Sequence, residues 1–294
     1  MSFFPIFRTL EAVNGPGANS WIAGKKVLVT GATDGIGLHT ALELVRRGAT
    51  VYVHGRDPVR CAEARAMITA ATGSKDVHEV AADFGSCAGI RRCAEQLQQR
   101  TPILHVLVNN AGVYMRHRRL TPDGMEMTFG VNHIGPFLLT ALVLPLLQEA
   151  GAARVVTVSS AAHTRARLDF GNLQSEKSFD PYQAYALSKL GNVMFTLELA
   201  ERLAGTGMTA TTLHPGVIAT KLLQEGFPGS TGEPVESGAA RVVALACGAI
   251  PGDPNGQYFV NSVPREPSAL ARRKDLRARF WNVSALLAGE EPRP

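Results

Sequence analysis

The 294-residue chain is poor in aromatic residues (6%) and in charge (19%), although 45% of it is hydrophobic. An apolar fraction built mainly from Ala, Val, Leu and Ile suits buried parallel strands covered by helices and argues against a β-sandwich. Cysteine is scarce, and Cys61, Cys87, Cys93 and Cys247 show no C-x-x-C pairing and no histidine at metal spacing. Neither a zinc site nor a disulfide framework is indicated, which leaves buried or half-buried free thiols. Long apolar runs are missing too. The stretch from Phe137 to Leu147, interrupted by Pro145, falls well short of the roughly 20 residues needed to cross a bilayer, so no membrane span is expected. The opening MSFFPIFRTL lacks a basic start, an extended apolar core and a small-residue cleavage site, so the expectation is a cytoplasmic rather than a secreted protein. The net charge is +5, but the basic residues are scattered outside Arg116–Arg119 and Arg272–Arg279. These two clusters read as a solvated loop face and as the outer side of a terminal helix, and nucleic acid is not an expected partner.

What is present is a regular alternation. Residues 1–24, rich in Gly, Pro and Asn, read as an irregular segment, and one domain is expected over 25–294. Strand-like runs at Lys26–Thr30, Thr50–His54, His78–Ala82, Val106–Asn109, Arg154–Val158 and Thr209–Leu213 alternate with helical patterns. Those patterns end near Arg47, Met67, Gln98, Leu147 and Leu203. Short connections between them predict a single-domain α/β fold: a doubly wound, Rossmann-type parallel sheet with helices on both faces.

The segment KVLVTGATDGIG sets Gly31, Gly35 and Gly37 between the first strand and an amphipathic helix. A dinucleotide pyrophosphate meets helix amides at that position in such folds. Three glycines alone are weak evidence; their place directly after the first strand of a βα series is what gives them meaning.

The T-G-x-x-x-G-x-G spacing is followed in order by NNAG at Asn109–Gly112, VNHIG at Val131–Gly135, VSS at Val158–Ser160, YALSK at Tyr185–Lys189 and HPGVIAT at His214–Thr220. With these motifs the chain resembles the short-chain dehydrogenases/reductases from Lys25 to about Ala288. Its long insert between Ser160 and Tyr185 and its FWNVSALLAG segment look like the retinol-dehydrogenase-like branch. Tyr185 and Lys189, four residues apart, share a helix face. A phenol is a poor base at neutral pH, and an adjacent ammonium together with a cationic nicotinamide would favour the phenolate.

The resemblance implies Tyr185 as acid/base, Lys189 as its tuner, and Ser160 as the hydroxyl that polarises the substrate oxygen, with Ser159 as the alternative. It implies Asn132 as the holder of a water between Lys189 and solvent, against a plain buried amide. Cofactor contacts are expected from Gly31, Asp34, Gly35, Ile36, Gly37, Arg56, Asp83, Phe84, Asn109, Ala111, Gly112, Tyr185, Lys189, Ile218 and Thr220. Asp83 has a helix N-cap as its other reading, and His214 reads as structural.

In VYVHGRD, Gly55 stands where NAD users of the family carry Asp, and Arg56 matches a phosphate-binding arginine. NADP(H) is therefore favoured over NAD(H), although Asp34 occupies a place often held by a basic residue. Phe170, Leu173, Phe179, Leu222, Leu223 and Phe227 are candidate pocket walls. The expected partner is a small, apolar carbonyl or alcohol, and the expected assembly a dimer or tetramer through the long helices, with a monomer as the alternative. Two rivals stand beside this reading: a non-catalytic dinucleotide-binding or redox-sensing protein, and a methyltransferase on a similar sheet.

Overall fold

A computed structural model describes residues 21–250 and 252–291. Of the segment expected to be irregular, residues 1–20 lie outside the described residues; Trp21 and Ile22 are helical, and Ile22 is fully buried. Eight strands form one sheet: β1 (Lys26–Val29), β2 (Thr50–Gly55), β3 (Val77–Ala81), β4 (Val106–Asn109), β5 (Arg154–Val158), β6 (Thr209–His214), β7 (Tyr258–Val260) and β8 (Val263–Arg265). Their order is β3-β2-β1-β4-β5-β6-β7-β8, and every pair is parallel except β7 with β8.

Alternation along β1 sends Leu28 to one face of the sheet and Val27 and Val29 to the other. The Leu28 face is covered by α3 (Cys87–Arg100), α4 (Met127–Gln148) and α5 (Pro181–Arg202). The opposite face is covered by α1 (Gly35–Arg46), α2 (Pro58–Thr72) and α7 (Val235–Cys247). The short α6 (Lys221–Gly226) lies between β6 and α7, and α8 (Ala269–Arg272) and α9 (Lys274–Ala288) close the chain. This is the expected doubly wound sheet. The helices start where their sequences supply acceptors: Asp34 caps α1, Asp57 caps α2 ahead of Pro58, Ser86 caps α3, and Asp180 caps α5 ahead of Pro181.

Three parts of the fold depart from the sequence reading. The strands β7 and β8 and the helix α7 had no expected counterpart, since three-residue strands carry too little alternation to be seen. The long helix α4 contains a π-turn at Gly130–Ile134. Otherwise α4 matches the long helical pattern expected to end near Leu147, and 72% of its most apolar window is buried inside the fold, as suits a core helix. Third, Arg277 does not sit on an outer side: it is 5% exposed and turned toward Glu198 and Glu201 on α5. Through it and through Phe280 and Trp281, α9 covers α4 and α5, the helices expected to build an oligomer.

Candidate active site

In an open parallel sheet, the chain leaves β1 toward β2 and β4 toward β5, so the loops at their carboxyl ends part and leave a crevice. A cavity of about 570 Å³ opens there. Its first wall is the glycine loop, where Gly31 (φ +63°) and Gly35 (φ +53°) occupy left-handed backbone that a side chain would strain. A Cβ on Gly31 would stand 2.8 Å from the Ala111 Cα, and one on Gly37 would strike the Gly31 carbonyl oxygen. The close packing of β1, α1 and the β4 loop therefore depends on these glycines. Ile36 and Gly37, in the first turn of α1, also line the cavity, and first-turn amides have no acceptor within their own helix. A pyrophosphate suits that rim in charge and in hydrogen-bonding capacity.

The glycine loop has a prop that sequence reasoning missed. The Gly31 amide donates to Nδ1 of buried His54 at 3.3 Å, so Nε2 carries the ring proton and donates to the Ala82 carbonyl at 3.0 Å. Burial pushes the His54 pKa down to about 4, which keeps the ring neutral and this pattern intact. A histidine inside a strand gives no periodic signal, so nothing in the sequence pointed to the role.

At the end of β4 the neighbouring residue takes the expected place. Asn109 turns into the core and donates to Thr140 Oγ1 at 3.1 Å, whereas Asn110 lines the cavity and donates to the carbonyls of Thr30 and Gly31 at 2.8 and 3.1 Å. Strand alternation decides between two adjacent asparagines, and a one-residue difference reverses the face. Ala111 and Gly112 line the cavity as expected, and so do Ile218 and Thr220, whose hydroxyl caps α6.

The reacting end brings Ser160, Tyr185 and Lys189 together on one wall. Ser159 donates its hydroxyl to the Lys189 carbonyl at 2.8 Å. Ser160 accepts the Ala162 amide at 3.2 Å, and its side chain acts on the Tyr185 hydroxyl by lowering its pKa. Of the two serines, Ser160 is thus the one coupled to the phenol. Burial pushes the Tyr185 pKa up to about 12, against the lowering effect of Ser160, and pushes Lys189 down to about 8. The Lys189 ammonium donates to the Val158 carbonyl at 3.1 Å and lies 5.7 Å from the Tyr185 ring centroid. Of the influences on the phenol in this structure, burial is the largest.

Asn132 sits in the π-turn, fully buried. Its Oδ1 accepts the Val113 amide at 2.7 Å, and its Nδ2 donates to the Val113 carbonyl at 2.9 Å and to Ser188 Oγ at 3.1 Å. The side chain thereby clamps the β4 loop.

The adenosine-side residues are dispersed. Asp34 caps α1 and is held by Lys221 at 2.6 Å and Arg60 at 3.3 Å; the Lys221 hydrogen bond is the main cause of its lowered pKa. Arg56 is exposed, does not line the cavity, and has no ion pair among the described residues. Asp83 accepts the Gly85 amide at 2.9 Å and closes a turn, while Ser86 is the N-cap of α3. Phe84 is buried and stacks on His54 with ring centroids 4.0 Å apart, so only its backbone can face a cofactor. At Gly55 a Cβ would meet Cys61 Sγ at 3.0 Å and Thr33 more closely still, so a carboxylate side chain cannot stand there without rearrangement.

Leu222, Leu223 and Phe227 line the cavity as expected. Leu173 is core instead, Phe170 packs under Arg279, and Phe179 stays off the lining. Tyr182 and Tyr114 were missed: with Phe227 they box Tyr185, the Tyr114 and Tyr185 centroids being 5.5 Å apart and those of Tyr185 and Phe227 6.1 Å. His163 was missed as well. Its Nε2 accepts the Ser268 amide at 3.2 Å, so Nδ1 carries the proton and donates to the Ser160 carbonyl at 2.7 Å, fixing the backbone of the serine beside Tyr185. His214 lines the cavity, with a buried Nδ1 that has no partner among the described residues.

Comparison with known proteins agrees with this geometry. The profile of the short chain dehydrogenases matches residues 25–230. The chain is 40% identical to retinol dehydrogenase 12 of Mus musculus, over 92% of this chain and 88% of that protein. It is 39% identical to retinol dehydrogenase 11 of Homo sapiens, over 91% and 87%. Among solved structures, an uncharacterised protein from Mycobacterium paratuberculosis superposes with a TM-score of 0.78 at 32% identity, covering 93% of this chain and 96% of its own. The RhlG/NADP complex of Pseudomonas aeruginosa superposes with a TM-score of 0.68 at 26% identity, covering 84% and 97%. With the phenol, the serine and the glycine loop already gathered on one cavity, these matches place the chain in the short chain dehydrogenase family, as an NAD(P)-dependent oxidoreductase that acts on CH–OH groups.

Proposed function

We propose that the chain is an NADP(H)-dependent enzyme interconverting a carbonyl and an alcohol on a largely apolar small molecule. The observation that carries this reading is the Tyr185–Ser160 pair set in a cavity whose outer walls are Tyr182, Leu222, Leu223 and Phe227. A nicotinamide cofactor, which the glycine loop fits, supplies or takes up the hydride when bound. Ser160 orients the substrate oxygen by hydrogen bond, and Tyr185, as the phenol, gives its Oη proton to that oxygen during reduction and, as the phenolate, takes one from the alcohol during oxidation. The aromatic residues around Tyr185 present apolar surface to the reacting atoms.

Lys189 contributes charge to the same spot, and the sign of its effect can be worked out. Its depressed pKa near 8 means that the ammonium is present below pH 8 and lost above it, while the phenol holds its proton to about pH 12. Reduction, measured as kcat/KM across pH 6–10, is expected to fall as pH rises through about 8, and that limb is expected to vanish in Lys189→Met. A flat wild-type profile, or a limb that survives in the variant, would remove Lys189 from the proton chemistry of the site.

Preference for NADP(H) is supported by the absence of room for a carboxylate at Gly55 and by the free guanidinium of Arg56 directly after it. In fluorescence titrations NADPH is expected to bind more tightly than NADH, with Arg56→Ala costing about tenfold or more in NADPH affinity, the scale of a charge-assisted contact, and little for NADH. Tighter NADH binding would reverse the cofactor reading. Tight binding of either nucleotide with no carbonyl turned over would favour a redox-sensing protein instead.

A further inference from the structure

Four charged side chains line the cavity, and three are matched. Asp34 and Lys221 pair at 2.6 Å at the glycine-loop end, and Lys189 is buried in the wall with its ammonium on the Val158 carbonyl. The fourth, Arg165, stands at the substrate end, and its guanidinium has no hydrogen bond and no ion pair among the described residues. No carboxylate lines that end, where Ala161, Ala162, Leu222, Leu223 and Phe227 supply apolar surface. Asp180, the acid at the start of α5, is engaged as a cap by the Gln183 amide at 2.7 Å and forms no ion pair with Arg165.

The backbone that carries Arg165 is fixed against the catalytic helix. Gln183, two residues before Tyr185, donates from Nε2 to the Arg165 carbonyl at 3.3 Å and accepts the Arg167 amide on Oε1 at 3.1 Å. The turn Ala161–Arg165 starts at Ser160 and is pinned again by His163. The root of the guanidinium is thereby held at a set distance from both Ser160 and Tyr185, with apolar wall between. Arg165 is exposed at the edge of this wall, and an anion arriving there gains a charge-assisted, two-pronged contact.

We infer that the substrate carries an anionic group, a carboxylate or one of like charge, at the end remote from its reacting carbonyl, and that Arg165 receives it. The carbonyl end of this inference rests on the oxidoreductase function proposed above; the anion contact does not. The ligand class is an apolar aldehyde or ketone with an acidic tail, held between Tyr185 and Arg165 so that one end fixes the other.

The test compares benzaldehyde with 4-formylbenzoate. Calorimetric binding is measured with and without NADP+, and reduction by NADPH is followed separately, for wild type, Arg165→Gln, and the neighbouring Arg167→Gln, whose residue lies off the cavity lining. Wild type and Arg167→Gln are expected to bind the charged aldehyde about tenfold more tightly or better, the scale of a hydrogen bond to a charged group, with a ratio that shrinks as salt is raised. In Arg165→Gln the ratio is expected to fall to about one. No preference in wild type, or a preference that survives in Arg165→Gln, overturns the inference. A preference in binding without reduction of either compound supports the anion contact while sinking the proposed reaction, so the two can fail separately.

Discussion

Tyr185→Phe is expected to lower the turnover of any carbonyl substrate by about a thousandfold, within the range typical of a missing general acid. The change removes one oxygen and leaves the ring packed against Tyr114 and Phe227. With that oxygen goes the group on which Ser160, itself on the cavity wall, acts. Because the ring keeps that packing, the folding midpoint is expected to stay near the wild-type value, and the loss is expected to appear in kcat. Because Tyr185 is protonated far above neutral pH, raising the pH to 10 is not expected to rescue or mimic the variant. Retention of a tenth of the wild-type rate would show that another group delivers the proton and would undo the assignment of Tyr185.

The largest expected effect on stability lies away from the cavity. Arg277→Met keeps most of the side chain's volume but removes the cation that faces Glu198 at 3.6 Å, hydrogen-bonds Glu201 and donates to the Arg272 carbonyl at 3.1 Å. Glu198 is 8% exposed and is left with Arg202 at 3.0 Å as its cation. Breaking a buried ion pair from one side typically costs 3–5 kcal/mol; the remaining arginine sets this case at about 3 kcal/mol, read as a lower urea midpoint. Glu198→Gln in the Arg277→Met background is expected to recover part of the loss, since the stranded charge goes with it. A single-variant cost under about 1 kcal/mol would mean that Glu201, which is half exposed, and its water carry the pair.

Why some of this was visible in the sequence and some not follows from the kind of signal each element leaves. Strands β1 to β6 and the helices between them announce themselves through long apolar periodicity, and the caps at Asp57–Pro58 and Asp180–Pro181 mark helix starts. Ser160, Tyr185, Lys189 and the glycine loop were legible because motif and position agreed. The failures are of another kind. Asn109 and Asn110 are indistinguishable in a motif, and only the pleat of β4 decides which one reaches the crevice. Asn132 could be placed on its helix, but the π-turn that aims its amide at Val113 has no sequence signature. His54 and His163 act through backbone partners 28 and 105 residues away, contacts that exist only once the sheet has formed. Arg277 looked solvated because its neighbours Arg272 and Lys274 are; the acids that draw it inward belong to another helix.

The covering of α4 and α5 by α9 bears on how the protein answers to dilution. A site whose long helices are braced by a second subunit depends on mass action, and falls apart with its assembly at low concentration. Here the brace is tethered to the same chain, and a tethered partner acts at an effective concentration set by its linker rather than by the amount of protein. His133, beside Asn132 in the π-turn, hydrogen-bonds Ser284 on α9 at 2.7 Å, so the brace reaches the residues behind the catalytic lysine. This part of the brace therefore comes from the chain itself, and truncation before Lys274 is expected to loosen the wall.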